Sequence, residues 1–118
     1  MPSAMPNSDK PERRKVAPRS RALLSGKLVF DNANQTMDCL IRDVTKDGAK
    51  VKMTSAVRVP SRVFLIDIKR ALGIDCHVIW ARPPELGLKF LKSHNLQEES
   101  SDPQIRGLRR IWVELAAR

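Results

Sequence analysis

Residues 37–53, MDCLIRDVTKDGAKVKM, contain two strand patterns separated by one tight turn. From residue 37 to 42 apolar and polar side chains alternate, with Leu40 as the exception, which is the period of a half-buried strand. Residues 49–53 alternate again, with two lysines on the polar face. The turn between them, residues 43–48, carries an acid, a hydroxyl and a glycine. We therefore expect a pair of antiparallel strands whose connection displays polar groups.

The turn has two interpretations. Asp and Thr side chains often bond only the backbone of their own turn, which would make Asp43 and Thr45 structural. Gly48 is expected to supply the position with φ > 0, because glycine adopts left-handed backbone readily. The functional interpretation is a ligand site, since a carboxylate can accept hydrogen bonds from the N1–H and amino edge of guanine. A basic segment upstream, residues 13–21, favours this second interpretation because arginine binds phosphate and the opposite edge of guanine.

The flanking sequence predicts four more strands. Each is a short apolar or alternating run bounded by turn residues, and no helical pattern lies between them. They cover residues 23–30, 63–68, 74–81 and 86–91. Six short strands at regular spacing predict a small antiparallel barrel or sandwich.

The end of the chain changes to helical periodicity. Asp102 is a favourable N-cap, and Pro103 suits the first helical position. The apolar positions that follow are Ile105, Leu108, Ile111, Trp112 and Leu115. One amphipathic helix of about 14 residues should pack on the sheet by this face. Trp112 is therefore interpreted as a core residue, and so is Trp80, which shares a predicted strand face with Val78.

Length and charge favour one basic domain. The chain has 118 residues, with Lys and Arg totalling 22 and Asp and Glu totalling 13, for a net charge of +9. Such a balance favours anionic partners. Residues 1–20 are rich in Pro, Ser, Asn, Lys and Arg without periodicity, so we expect a disordered basic arm. Residues 21–118 are expected to form the folded domain.

Catalysis and metal binding are not expected. His77 and His94 are the only histidines, and Cys76 and His77 are strand neighbours whose side chains point to opposite faces. Cys39 and Cys76 lie in apolar patterns without metal-site spacing, which predicts reduced core thiols. No apolar run approaches a membrane span or signal peptide, so we expect a cytoplasmic protein that is not an enzyme.

The chain resembles the PilZ domain family of bacterial receptors for cyclic di-GMP. The family motif of Asp or Asn, any residue, Ser, two residues and Gly stands here at residues 43–48. A second motif, two arginines separated by three residues just before the first strand, has its counterpart in the basic arm. The strand at residues 76–80 and residues 87–90 also match. The resemblance spans residues 12–115 and implies a six-stranded antiparallel β-barrel with a C-terminal α-helix.

The resemblance also implies the ligand-binding residues. They are Arg14, Lys15, Arg19, Asp43, Thr45 and Gly48, with Arg13 and Arg21 as further contacts. Two positions depart from the family pattern. Thr45 replaces the serine, and four residues before Arg19 stands Lys15 rather than arginine, with Arg14 one position earlier. A lysine there would supply a point charge without the planar fork of arginine.

The implied mechanism is a ligand-gated switch. Cyclic di-GMP would order the arm against the barrel, and the altered surface would signal to a separate protein partner in trans. Two other functions remain open on the sequence. A degenerate PilZ adaptor would act only by protein–protein contact and show no response to nucleotide. A basic nucleic-acid-binding β-barrel would bind oligonucleotides with length-dependent affinity and a steep salt dependence.

Overall fold

The computed structural model describes residues 24–117, which form six β-strands and one α-helix. The elements are β1 (Leu24–Phe30), β2 (Gln35–Arg42), β3 (Gly48–Met53), β4 (Arg62–Asp67), β5 (Leu72–Arg82), β6 (Glu85–Asn95) and α1 (Pro103–Ala116). Their number, type and order confirm the sequence prediction. The predictions for residues 1–20 lie outside the described residues. Within residues 24–117, no helix is long and apolar enough to cross a membrane.

The six strands close into a barrel. Around the ring the order is β1, β2, β3, β6, β5, β4, and every neighbouring pair is antiparallel. The ring closes because β1 pairs with β2 on one side and with β4 on the other. This arrangement confirms the predicted six-stranded antiparallel barrel. It also places β3 and β6 on the wall opposite β1 and β4.

Alternating side chains fill the interior of the barrel. The fully buried inward residues include Leu28, Ile41, Val51, Leu65, Leu86 and Leu88. Cys39 and Cys76 belong to the same cluster, as the sequence predicted. Burial raises the pKa of each thiol from 9.0 to about 12, because an ionised sulfur would lose its hydration in this apolar interior. His77 is exposed beside the buried Cys76, in agreement with the expected opposite faces.

The helix covers the outer surface of β1, β4 and the start of β5. Its apolar face buries Ile105 and Leu108 against Val29 and Ile66, whose side chains point out of the barrel. The indole N–H of Trp112 donates a hydrogen bond of 2.9 Å to the backbone carbonyl of Ile68. The predicted core role of Trp112 is therefore confirmed, and this bond fixes the second half of the helix against the barrel.

The predicted start of the helix is also confirmed. A carboxylate oxygen of Asp102 accepts a hydrogen bond of 2.9 Å from the backbone N–H of Gln104, and Pro103 is the first helical residue. The N-cap thus satisfies one of the amides that an α-helix leaves unpaired at its start.

Candidate functional site

An open cleft lies where the turn after β2 meets the β5–β6 hairpin. It has a volume of about 690 Å³, within the range of ~300–1,000 Å³ that is usual for small-molecule sites. Its walls include Asp43, Thr45 and Gly48 of the predicted motif, together with Lys50 and Trp80. The structure therefore brings the three predicted barrel residues together in one concave surface.

The hydroxyl of Thr45 organises the turn. Its Oγ1 donates to the carbonyl oxygen of Gly48 at 3.3 Å and accepts from the backbone N–H groups of Asp47 and Gly48, both at 3.2 Å. The backbone N–H of Thr45 donates to the same carbonyl at 2.8 Å. A hydroxyl has one donor and two acceptor positions, so all three are engaged within the turn. The structural interpretation of Thr45 thus has direct support.

Gly48 is required for a different reason than the sequence suggested. Among the described residues no glycine has a positive φ, so the predicted left-handed conformation at Gly48 is wrong. Gly48 is instead the first residue of β3, and a Cβ at this position would overlap the carbonyl oxygen of Leu88 on β6. The left-handed residue of the turn is Asp43, with φ of 49°, a conformation that Asp tolerates better than most residues.

Asp43 forms an ion pair with Lys50. The Nζ atom of Lys50 lies 3.8 Å from Oδ2 of Asp43, and the two side chains are 33% and 28% exposed. This separation exceeds a hydrogen bond, so the interaction is a loose charge pair. In the sheet register Lys50 lies between Arg42 on β2 and Gly87 on β6. The pair thus sits on the floor of the cleft, on the outer face of the barrel.

Trp80 lines the cleft, and its interpretation as a core residue is wrong. Its side chain is 37% exposed, because the register between β5 and β6 shifts between Val78 and Trp80 and turns the indole outward. The ring lies over Gly87, its partner in the sheet, where a Cβ would overlap the indole nitrogen. The guanidinium of Arg82 stands 5.5 Å from the ring centroid. A glycine in the middle of an apolar strand was the sequence signal for this close approach.

The arm residues Arg13, Arg14, Lys15, Arg19 and Arg21 lie outside the described residues. The register of β1 nevertheless fixes where the arm joins the barrel. Leu24, the first residue of β1, pairs with Ile41, which stands two residues before Asp43. The chain therefore enters the barrel beside the cleft.

The described residues contain no group of three or more His, Cys, Asp or Glu that could hold a metal ion. The cleft instead offers two carboxylates, two ammonium groups and a partly exposed indole. This combination suits an organic ligand that carries both hydrogen-bonding rings and negative charge.

The closed barrel with a covering helix and a side cleft defines a small β-barrel domain. The family model for the PilZ domain matches residues 12–102, most of the chain, and the protein belongs to this family. PilZ domains are generally receptors for cyclic di-GMP.

Among solved structures, the chain is similar to the crystal structure of the PilZ domain of CeSA from a cellulose-synthesizing bacterium. The TM-score is 0.54 at 19% sequence identity, and the similarity covers 83% of this chain and 97% of that chain. At this level of identity the likeness shows the fold. No curated protein matches the sequence significantly.

Proposed function

We propose that this PilZ domain is a receptor for cyclic di-GMP that binds the nucleotide in the cleft beside Asp43. One observation carries the proposal. The cleft combines the Asp43 carboxylate with the exposed indole of Trp80, and the first residue of β1, Leu24, pairs with Ile41 two residues before Asp43. These groups are of the chemical type that a guanine base and its phosphates would require.

Asp43 is proposed to read the guanine base. An ionised carboxylate accepts hydrogen bonds only, and the N1–H and amino group of guanine form a two-donor edge that suits it. Adenine carries no N–H at the equivalent ring position, so it cannot make the same pair. Thr45 and Gly48 hold the turn that presents Asp43, and a direct contact of the Thr45 hydroxyl with the ligand would exchange its 3.3 Å bond to Gly48.

Trp80 is proposed to stack on one guanine. The indole is held over Gly87, lines the cleft and is 37% exposed, so part of the ring is available to a ligand. Stacking on an aromatic residue contributes roughly 1–3 kcal/mol per base. The guanidinium of Arg82 lies over the ring, 5.5 Å from its centroid, so a base that stacks on this face would displace it.

The arm is proposed to close over the bound ligand. Arg19 precedes Leu24 by five residues, so a fully extended chain lets it reach up to roughly 17 Å from the start of β1. Arg19 would bind phosphate and the O6/N7 edge of guanine, together with Arg14 or Lys15. Arg13 and Arg21 would supply further contacts. Ordering of this segment changes the surface presented to a protein partner, which would receive the signal in trans.

The test is a titration of cyclic di-GMP and of cyclic di-AMP into the full-length protein, followed by calorimetry and amide NMR shifts. We expect micromolar or tighter binding of the guanine ligand and much weaker binding of the adenine ligand. Asp43→Asn should weaken binding by roughly 1.5–3 kcal/mol, the contribution of a charged hydrogen bond.

Asp47→Asn is the matched control, since Asp47 belongs to the same turn and lines the same cleft. Its substitution should have little effect on the preference for guanine. Equal affinity for the two dinucleotides would contradict the assignment of Asp43. A complete lack of binding would favour the protein-only adaptor instead.

A further inference from the structure

Lys50 occupies a position in the cleft that neither family motif covers. It lies on β3 two residues after Gly48, and its side chain shares the outer face of the barrel with the cleft. Its ammonium group is 3.8 Å from the carboxylate that the proposed function gives to guanine. The Lys50 ammonium group and the guanine base would therefore compete for the Asp43 carboxylate.

We infer that Lys50 is a phosphate-binding residue that exchanges its ion pair with Asp43 for one with the ligand. The inference rests on the proposed function and assigns a specific role to a residue of the barrel wall. In the free protein Lys50 neutralises Asp43. In the complex the guanine edge takes the carboxylate, and the ammonium group turns to a phosphodiester oxygen.

The exchange costs little free energy because the ion pair between Lys50 and Asp43 is weak. At 3.8 Å the two groups are beyond hydrogen-bonding distance, and each side chain is about one-third exposed. Pairs of this kind contribute about 0–1 kcal/mol to stability. Lys50 can therefore leave Asp43 without a significant effect on the fold.

The charge of the ligand also favours the exchange. Once guanine covers the Asp43 carboxylate, the Lys50 ammonium is left in the cleft beside a neutral base, and an unpaired cation that loses hydration is unfavourable. A phosphodiester is the anion that the same ligand provides. Gly87, the neighbour of Lys50 on β6, has the indole of Trp80 over it, so the lysine and the aromatic ring lie on the same outer face of the barrel.

A phosphate contact from Lys50 would compensate for a weaker contact from the arm. The position four residues before Arg19 holds Lys15, so the arm lacks a fork-shaped side chain at that spacing. A lysine fixed on β3 supplies positive charge from the barrel itself. Affinity should therefore depend on Lys50 in addition to the arm.

The experiment measures cyclic di-GMP affinity at several salt concentrations for the full-length protein and three variants. Lys50→Met removes the charge and keeps the aliphatic stem. Lys50→Arg restores the charge. Lys52→Met is the matched control, because Lys52 is the next outward-facing lysine of β3 and lies outside the cleft.

We expect Lys50→Met to weaken binding about tenfold or more, as the loss of a charged hydrogen bond does. The slope of log Kd against log salt should decrease by the contribution of about one phosphate contact. Lys50→Arg should bind within a few-fold of wild type, and Lys52→Met should leave both quantities nearly unchanged. Circular dichroism should show the same melting behaviour for all four proteins.

The Asp43→Asn background separates phosphate binding from mere positioning of Asp43. If Lys50 binds phosphate, Lys50→Met causes the same fold loss with Asn at position 43. A loss that disappears in that background would overturn the inference, as would unchanged or tighter binding by Lys50→Met. A wild-type protein that does not bind cyclic di-GMP would overturn the proposed function and this inference together. Binding by wild type that Lys50→Met leaves unchanged would overturn only this inference, so the two failures can be distinguished.

Discussion

The indole ring of Trp80 occupies the space over Gly87 that a side chain at position 87 would fill. The two residues are partners across the β5–β6 hairpin, immediately after the register shift in β5. The contact holds the ring against the barrel, where the ring lines the cleft. Because Gly87 has no side chain, the indole of Trp80 can lie against the barrel and form the aromatic part of the site.

Gly87→Ala should displace Trp80 and weaken ligand binding. The added methyl group would overlap the indole nitrogen, so the ring must move into solvent. We expect a red shift of tryptophan emission, with Trp112 held by its bond to Ile68 as a constant background. Loss of stacking should lower the affinity for cyclic di-GMP about tenfold. Unchanged emission would show that the ring tolerates a side chain beneath it.

Two glycine substitutions should change stability in opposite directions. Gly48→Ala places a Cβ against the Leu88 carbonyl, so β3 and β6 must separate, at a cost of about 2 kcal/mol or more. Gly107→Ala places a Cβ in open space on α1 and should stabilise the protein by ~0.5–1 kcal/mol. Urea denaturation of both variants measures the difference. A similar midpoint for the two would contradict the close approach at Gly48.

The buried thiols should be unreactive in the native protein and should make stability fall at alkaline pH. Burial raises the pKa of Cys39 and Cys76 to about 12 from 9.0. In the unfolded chain both thiols ionise near the lower value, while in the folded state they stay protonated. The free energy of unfolding therefore decreases as pH rises through that window, and the thiols have no such effect below it.

Thiol titration with Ellman's reagent near neutral pH should show two slow groups in buffer and two fast groups in urea. Chemical denaturation should then show lower stability at about pH 10 than at about pH 8. A variant carrying Cys39→Ala and Cys76→Ala should depend less steeply on pH in this range. Rapid labelling of the native protein would contradict the burial of the thiols.

Substitutions in the arm should show which residue partners Arg19. Arg19→Ala should abolish most binding of cyclic di-GMP while the barrel stays folded. If Arg14 supplies the second contact, Arg14→Ala should approach that loss and Lys15→Ala should be mild. If Lys15 supplies it, the order reverses and Lys15→Arg should tighten binding.

Lys10→Ala is the control for general charge, because Lys10 lies further from β1 than the motif residues. Calorimetry at two salt concentrations compares all four positions. Small, equal losses that shrink together with added salt would indicate a diffuse cationic patch instead of a binding motif.

The strands and the helix could be predicted because each depends on a regular period. Alternation in β2 and β3 follows from one buried and one solvated face, and the N-cap at Asp102 is a local signal. The position of Trp80 could not be predicted in the same way. Period-2 reasoning assumes unbroken pairing, and the irregularity after Val78 shifts the alternation for the rest of β5.

The motif residues could be located from sequence, but their individual tasks could not. A glycine in a strand indicates a position where a side chain is excluded. The cause of the exclusion depends on the neighbouring atoms, and at Gly48 it is the carbonyl of Leu88, on a strand that is distant in the sequence. The pairing of Asp43 with Lys50 likewise depends on the three-dimensional path of the turn. Such contacts arise from tertiary structure and have no local signature.

The order of strands around the ring places the helix and the cleft on different parts of the outer surface of the barrel. The helix lies on β1, β4 and the start of β5, and the cleft lies on β3, β6 and the second half of β5. A fluorescent label or fused domain attached after α1 therefore leaves the cleft accessible. The outward side chains of the two surfaces can therefore be changed independently, whereas the inward side chains of the same strands share one core.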